Sequence, residues 1–382
     1  IADVHFNFSF PDSFWALWAQ LNGKDHSQEQ TSEDYFSLIR NYRRFCWLIP
    51  YLYGASPALC GSFLAGKSHG LPFKKVGQGT YYMPYATSLR MSDLGYTSAE
   101  QSSLKICYNK LDNYVALLRE AMGTPSSRFS QFAAGEEGNY QQLSRNILQI
   151  ENELYSPIRP KQPTQSMEKP TDALVKRGIN YIEVRALDVN PFSAIGISES
   201  QFHFLDVFLL SCLLMPSEAL DESQLTEAKD NMNKVVLEGR NPELKLLQGG
   251  EEISLPAWCE TLFAQFKQVA ALLDTANETD KYMAAVDEEW QKVIDPAKTP
   301  SGVLLNALLK DDKDNSVFGL ELAERYKAEM AGYAYTHTDA DAFQAASQAS
   351  LDAQADVEAA DSKDFDSFIR DYFNEPPAKK NA

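Results

Sequence analysis

The sequence predicts an α+β fold, with strands and loops in the first half of the chain and helices in the second. Residues 5–10 and 181–188 alternate polar and apolar side chains, which is typical of strands with one buried face. After residue 196, apolar residues recur at helical spacing almost to the end. We interpret 1–382 as one domain, with a sheet-forming part (1–196) and a mainly helical part (197–382).

Charge and cysteine content limit the classes of function. The chain has 382 residues, a net charge of -18 and 44% hydrophobic residues. An acidic chain gains little from a phosphate backbone, so we expect no nucleic-acid binding. Five scattered cysteines without a CxxC pair argue against a zinc site or a disulfide scaffold and fit a reducing cytoplasm. The most apolar run, 204–215, contains Asp206 and is too short for a bilayer, so we predict a buried helix and no membrane partner.

The first elements follow from simple patterns. The stretch "HFNFSF", 5–10, places three polar residues on one face of a strand and three phenylalanines on the other. The next residues, "PDSFWALWAQL", start a helix behind a proline and an aspartate. A second helix is predicted over 31–52, capped by Thr31 or Ser32 and ended or kinked at Pro50.

The remaining elements are assigned by the same criteria. In the middle of the chain we predict loops over 66–103, a helix over 104–122, a strand-like run over 146–161 and a polar loop over 162–176. Helices are then predicted over 200–215, 222–238, 256–274, 279–294, 300–310, 316–332 and 340–373.

The strand "YIEVRALDVNPF", 181–192, carries charge on one face only. Glu183 and Arg185 share a face, and the alternate residues on the other face are apolar. A surface salt bridge would explain this pair, but the apolar flanks suggest burial, where such a pair is costly. A carboxylate beside a guanidinium suits a magnesium–phosphate site, with the glutamate on the metal and the arginine on the phosphoryl oxygens.

The stretch "QIENELY" shows a similar pattern. If it is a strand, Glu151, Glu153 and Tyr155 lie on one face, opposite Ile150 and Leu154. Two carboxylates so close repel each other unless a cation or water lies between them. An edge strand with solvated acids explains the pattern equally well.

A literal phosphate-loop pattern occurs at 61–68, "GSFLAGKS". This motif works only between a strand and a helix, where backbone amides and the helix N-terminus bind phosphates. The preceding "SPALC" does not look like a strand, and the following "HGLPFKK" cannot open a long helix. We therefore interpret the match as chance and a tight turn.

Two further candidates come from a histidine and a loop. His5 alone is a weak signal, and the other histidines show no HxH or HExxH spacing, so a histidine metal site is not expected. The Tyr-rich loop 81–96 contains Arg90 and Tyr96. An arginine there could bind a carboxylate bidentately and tyrosines could add hydroxyl contacts, although an ordinary packed loop would look the same.

Several long stretches together resemble one family. "VHFNFSF", "YLYGASPAL", "YYMPYATSLRMSDLGYT", "LQIENELYSPIRPK", "YIEVRALDVNPFSAIG" and "VLEGRNPEL" occur in this order, and the resemblance runs from the first residues to near the end. The family is the proteobacterial type of glutamate–cysteine ligase. The resemblance implies a glutamine-synthetase-like antiparallel sheet that forms a funnel-shaped active site, with helices packed outside.

The resemblance also implies an activity and residue roles. ATP would phosphorylate the side-chain carboxylate of glutamate, and the amine of cysteine would displace phosphate, the first step of glutathione synthesis. Glu183 is implied to bind Mg²⁺, or Mn²⁺ in its place, and Arg185 to stabilise the transferring phosphoryl group. Arg90 would hold a substrate carboxylate and Tyr96 and Tyr155 would line the cysteine side. His5 would lie near the glutamate and metal end; a cytoplasmic monomer is expected.

The start of the chain departs from the family pattern. The first residue is Ile1, and the family's first strand with its other acidic magnesium ligands would precede it. We therefore expect an incomplete ligase domain, for which its own N-terminal segment is a candidate partner, and the activity of this chain alone is left open. The alternatives are an inactive fragment or regulatory relative, and a related ligase with another amine substrate.

Overall fold

A computed structural model describes residues 3–66, 70–95, 100–101, 104–136 and 138–374. Within these residues the helices are α1 (Asp12–Leu21), α2 (Gln28–Phe45), α3 (Leu48–Tyr53), α4 (Leu111–Gly123), α5 (Pro170–Arg177), α6 (Glu199–Leu214), α7 (Glu222–Glu238), α8 (Leu255–Asn277), α9 (Lys281–Ile294), α10 (Pro300–Lys310), α11 (Asn315–Ala331), α12 (Ala340–Ala360) and α13 (Phe365–Asn374). The strands are β1 (Asp3–Phe8), β2 (Ala58–Cys60), β3 (Lys74–Val76), β4 (Thr80–Tyr82), β5 (Ala134–Glu136), β6 (Asn139–Tyr140), β7 (Ile158–Lys161), β8 (Tyr181–Asp188), β9 (Lys245–Gln248) and β10 (Glu251–Ser254).

The central sheet is antiparallel, with β8 between β1 and β7. Its register places Asn7, Glu183 and Arg159 opposite one another across the three strands. Smaller sheets are formed by β2-β4-β3, β9-β10 and β5-β6. Antiparallel sheets combined with many packed helices confirm the predicted α+β class.

The alternation predicted for β8 is confirmed. Ile182, Val184 and Ala186 are almost completely buried and belong to the main hydrophobic core. Since successive strand residues face opposite sides, Glu183 and Arg185 project from the other face. The apolar side fixes the register of the strand, and thereby places the charged side chains.

The main core joins elements from both halves of the chain, extending from Phe6 to Val293. The apolar run 204–215 lies in α6 except for its last residue, and the helix is buried as predicted. Its Phe204 and Phe208 are fully buried and pack against Phe266. Each buried phenylalanine contributes roughly 1.5–3 kcal/mol relative to an exposed one. The division into parts 1–196 and 197–382 stays a prediction. No helix of the described residues is long and apolar enough to span a bilayer.

Several predicted boundaries are wrong because local hydrogen bonds outweigh the sequence pattern. Helix α2 begins at Gln28, since the Ser27 hydroxyl caps it by accepting from the N–H of Gln30 at 3.2 Å, and neither Thr31 nor Ser32 is the cap. The break before α3 precedes Pro50, which lies in the first turn, where a missing N–H costs little. Helix α4 begins at Leu111, later than predicted.

Other elements were missed or merged. The predicted polar loop 162–176 contains the start of α5, which opens with Pro170 at its first position. The hairpin β9–β10 interrupts the helical half, with Gly249 and Gly250 at φ of 63° and 85° in its turn. The last predicted helix, 340–373, is two helices, α12 and α13.

The predicted strand 146–161 is wrong over most of its length, because only Ile158–Lys161 is a strand. Glu151–Glu153 instead forms a 3-10 turn, so Glu151, Glu153 and Tyr155 do not share a strand face. Glu151 is buried and accepts a hydrogen bond from the Thr171 hydroxyl at 2.7 Å. These tertiary contacts favour the turn over an extended backbone.

Candidate active site

Charged side chains from three strands meet on the polar face of the central sheet. Arg185 Nη1 lies 3.1 Å from Glu183 Oε2, and Lys161 Nζ of β7 lies 3.3 Å from the same oxygen. His5 Nδ1 of β1 lies 3.3 Å from the other oxygen, Oε1. We call Glu183 with these three basic residues the charged face. It places a single carboxylate among three groups that can carry positive charge.

The side chains of the charged face differ in exposure to solvent. The Glu183 side chain is 10% exposed, whereas that of His5 is 37% exposed. His5 Nε2 is in turn 3.1 Å from Asp3 Oδ2. A ligand arriving from solvent would therefore meet the basic groups before the carboxylate.

Burial and the neighbouring cations act in opposite directions on the pKa of Glu183. Burial raises this pKa, but Lys161, Arg185 and His5 together lower it by a larger amount. The pKa of Glu183 therefore lies below the ordinary value of 4.5. A depressed carboxylate pKa means that the ion pairs are intact above pH 4.5 and are lost as pH falls through the lower, folded-state pKa. Glu183 is therefore ionised at neutral pH.

Arg90 is directed towards the charged face, but is largely occupied by protein groups. Its side chain is 5% exposed and its Nε donates to Asp188 Oδ1 at 2.6 Å. Nη1 lies 3.4 Å from Asp3 Oδ2, and Nη2 donates to the backbone carbonyl of Arg185 at 3.3 Å. The loop arginine predicted from sequence thus reaches the same strand as the predicted glutamate and arginine.

Only one of the two predicted tyrosines lies within the described residues. Tyr96 lies outside the described residues. The Tyr155 side chain is 43% exposed, and its N–H donates to Gln101 Oε1 at 2.8 Å. Gln101 Nε2 also donates to the carbonyl of Glu153 at 2.8 Å, so one amide side chain fixes the backbone around Tyr155. Both tyrosine roles stay predictions.

The site residues predicted from the sequence do not include Lys161, Asp3 or Asp188. A signal existed for Lys161, since Arg159 and Lys161 are alternate residues of a short strand and share its polar face. A signal also existed for Asp188, a carboxylate that continues the apolar series of β8. Asp3 follows only from the register of β1 against β8.

The described residues alone do not fit a bound metal ion. They contain no cluster of three or more histidine, cysteine, aspartate or glutamate side chains that could hold one. Both oxygens of Glu183 face basic groups. Mg²⁺ prefers six oxygen ligands. Glu183 could supply at most two of these six, and the others would come from elsewhere.

The phosphate-loop match has a different context from the one predicted. A short strand, β2, does precede it, contrary to the prediction. Gly61–Phe63 then forms a 3-10 turn, which is too short to present a helix N-terminus to a phosphate. Lys67 and Ser68 lie outside the described residues.

We expect Lys67→Ala to leave nucleotide affinity unchanged, because the preceding turn does not form the required strand–loop–helix cradle. Equilibrium titration of the purified variant with ATP would check this. A loss of affinity of tenfold or more would restore the phosphate-loop hypothesis.

Comparison with known proteins shows what the chain is similar to. The sequence model of the family "Glutamate-cysteine ligase" matches residues 1–235. The chain is 48% identical to a glutamate–cysteine ligase of Shewanella halifaxensis and 46% identical to one of Vibrio campbellii; each match covers 98% of this chain and 72% of the relative. A crystal structure of glutamate–cysteine ligase from Francisella tularensis in complex with AMP superposes with a TM-score of 0.87 at 32% identity, covering 98% of this chain and 72% of that one.

Proposed function

The chain belongs to the glutamate–cysteine ligase family, and on this basis we propose that the charged face carries out its phosphoryl chemistry. The protein is an ATP-dependent ligase that joins the side-chain carboxylate of glutamate to the amine of cysteine. The product, γ-glutamylcysteine, is the first intermediate of glutathione biosynthesis.

The reaction needs charge neutralisation at two stages. A glutamate carboxylate oxygen attacks the γ-phosphorus of ATP, ADP leaves, and an acyl phosphate forms. The cysteine amine then attacks the acyl carbon, phosphate leaves, and the amine loses a proton. Phosphoryl transfer depends mainly on positioning and electrostatic stabilisation, so fixed cations beside the transferring group are the main requirement.

One observation carries the proposal: Arg185 and Lys161 are both held within 3.3 Å of one buried carboxylate oxygen. If both side chains turned away, the buried Glu183 carboxylate would keep only its contact with His5, which is costly at this depth. We assign Arg185 to the transferring phosphoryl group and to the tetrahedral state that follows. Lys161 neutralises charge on the nucleotide phosphates beside it.

The other roles complete the site. Arg90 holds a substrate carboxylate, His5 lies at the glutamate and metal end, and Tyr96 and Tyr155 line the cysteine side. Glu183 supplies one carboxylate to a Mg²⁺ ion, or Mn²⁺ in its place, which would offset phosphate charge when bound. No step is assigned to the metal, since the described residues do not fit it alone. The cytoplasmic location and monomeric state stay predictions.

The assay that tests the function is ADP release by the purified protein with ATP and Mg²⁺. We expect release to require both glutamate and cysteine, and mass spectrometry to detect γ-glutamylcysteine in equal amount. An equal rate of ADP release with and without glutamate and cysteine would contradict the proposal.

Lys161→Met should raise KM for ATP about tenfold with a smaller change in kcat, because it removes a phosphate cation but keeps the aliphatic stem. Initial rates at varied ATP would measure this. Lys105→Met is the matched control: Lys105 also pairs with a glutamate at 2.8 Å, but the pair is exposed and outside the charged face. If KM for ATP were the same in the two variants, Lys161 would have no role in binding the nucleotide phosphates.

A further inference from the structure

Asp188 is a carboxylate on the core-facing side of β8. It continues the series Ile182, Val184 and Ala186, and its side chain is 4% exposed. A buried carboxylate is strongly destabilising unless hydrogen bonds and charge compensate for the lost water. A carboxylate buried at this position therefore needs hydrogen-bond donors or a positively charged partner.

Four donors surround this carboxylate. Oδ2 accepts from the N–H of Ala55 at 2.7 Å and from the Ser56 hydroxyl at 2.8 Å. Oδ1 accepts from the Ser88 hydroxyl at 3.0 Å and from Arg90 Nε at 2.6 Å. The carboxylate thus ties β8 to the chain that leaves α3 and to the turn that carries Arg90.

The contact with Arg90 sets the direction of the guanidinium. Because the guanidinium is planar, fixing Nε on Asp188 fixes where the two terminal nitrogens point. These nitrogens lie at 3.4 Å from Asp3 Oδ2 and 3.3 Å from the carbonyl of Arg185. Asp3 and Asp188 are also register partners on adjacent strands, so the arginine separates two carboxylates that would otherwise repel.

The backbone of the turn is held by the same group of residues. The Arg90 N–H donates to the Ser56 hydroxyl at 3.2 Å, and that hydroxyl itself donates to Asp188. Ser56 and Ser88 additionally form a parallel bridge. The Asp188 carboxylate therefore holds the guanidinium of Arg90 directly and its backbone through the Ser56 hydroxyl.

We propose that Asp188 is a positioning residue that holds Arg90 in the orientation needed to bind a substrate carboxylate. This inference rests on the proposed role of Arg90. Asp188 itself does not touch substrate. A purely structural Asp188 would change stability without changing the affinity for one substrate selectively.

The test is a double-mutant cycle with Asp188→Asn and Arg90→Gln, read by steady-state kinetics. Asparagine keeps the shape but loses the charge, and a misplacement of about 1 Å can cost about 10²-fold in rate. We expect Asp188→Asn to raise KM for one amino-acid substrate at least about tenfold, with KM for ATP within about twofold of the parent. The double variant should lose no more than Arg90→Gln alone, because the residues act as a unit.

Two further variants separate positioning from folding. Ser88→Ala removes one donor but keeps the ion pair with Arg90, so we expect a smaller rise in the same KM. Thr87→Val is the matched control, since the neighbouring buried hydroxyl donates to the carbonyl of Val235 at 2.9 Å and does not reach Asp188. It should lower the melting temperature without changing KM.

The outcomes can be told apart. If Arg90→Gln impairs the enzyme and Asp188→Asn multiplies that loss in the double variant, the positioning role is overturned and the ligase function stands. If Asp188→Asn does not fold, Ser88→Ala decides: a KM equal to that of Thr87→Val overturns the proposal. If Arg90→Gln behaves as the parent, the substrate role of Arg90 fails and the inference fails with it.

Discussion

Replacing Arg185 by alanine is expected to lower kcat on the order of 10³-fold while the fold is retained. The guanidinium is held 3.1 Å from Glu183 on the polar face of β8 and does not contribute to the core behind it. Losing one preorganised electrostatic donor typically costs ~10²–10³-fold in kcat, and an arginine on a transferring phosphoryl group contributes ~10³–10⁵-fold. ADP release at saturating substrates measures the effect.

Two variants make the Arg185 result specific. Arg185→Lys should recover part of kcat, because it restores charge without the planar fork. Arg177→Ala is the control: this arginine, at the end of α5, pairs with Glu168 at 2.6 Å and not with Glu183, and its loss should leave turnover unchanged. Parent-like turnover in Arg185→Ala would rule out the assigned role.

Replacing Glu183 by glutamine should lower kcat about 10²-fold and raise the Mg²⁺ concentration needed for half-maximal rate about tenfold. The change preserves shape but leaves Lys161 and Arg185 without their shared anion. It also removes the one charged-face oxygen pair that a metal could use. Rates measured across a Mg²⁺ titration give both quantities.

The Mg²⁺ dependence distinguishes two functions of Glu183. If kcat falls but the half-saturating Mg²⁺ concentration is unchanged, Glu183 only orients the cations and the metal-ligand role is wrong. Asp172→Asn is a suitable control, because Asp172 is also a buried carboxylate paired with an arginine, Arg119, at 2.7 Å. We expect it to affect stability and not the Mg²⁺ dependence.

Two of the three strands that carry the charged face, β1 and β8, were accessible from sequence because their signal is local. Alternation along β8 directly separates the buried Ile182 and Val184 from Glu183 and Arg185. The same holds for β1 and His5. Local periodicity therefore sufficed for the elements that the hydrophobic core itself orders.

The segment around Tyr155 could not be predicted in this way. Glu151 is buried through Thr171, and Arg159 donates to the carbonyls of Asn152 and Leu154, so distant residues decide the backbone there. Lys161 alternates with Arg159 along β7, but only the pairing of β7 with β8 places it beside Glu183. Pairing between strands distant in sequence is what single-sequence patterns do not contain.

Transfer of labelled oxygen from the side-chain carboxylate of glutamate to inorganic phosphate tests the acyl-phosphate route most directly. Glutamate labelled with heavy oxygen at that carboxylate would be turned over with ATP and cysteine, and the phosphate analysed by mass spectrometry. We predict one labelled oxygen in each phosphate released, because the attacking carboxylate oxygen leaves with the phosphoryl group. Unlabelled phosphate alongside γ-glutamylcysteine would contradict phosphoryl transfer to glutamate at the charged face.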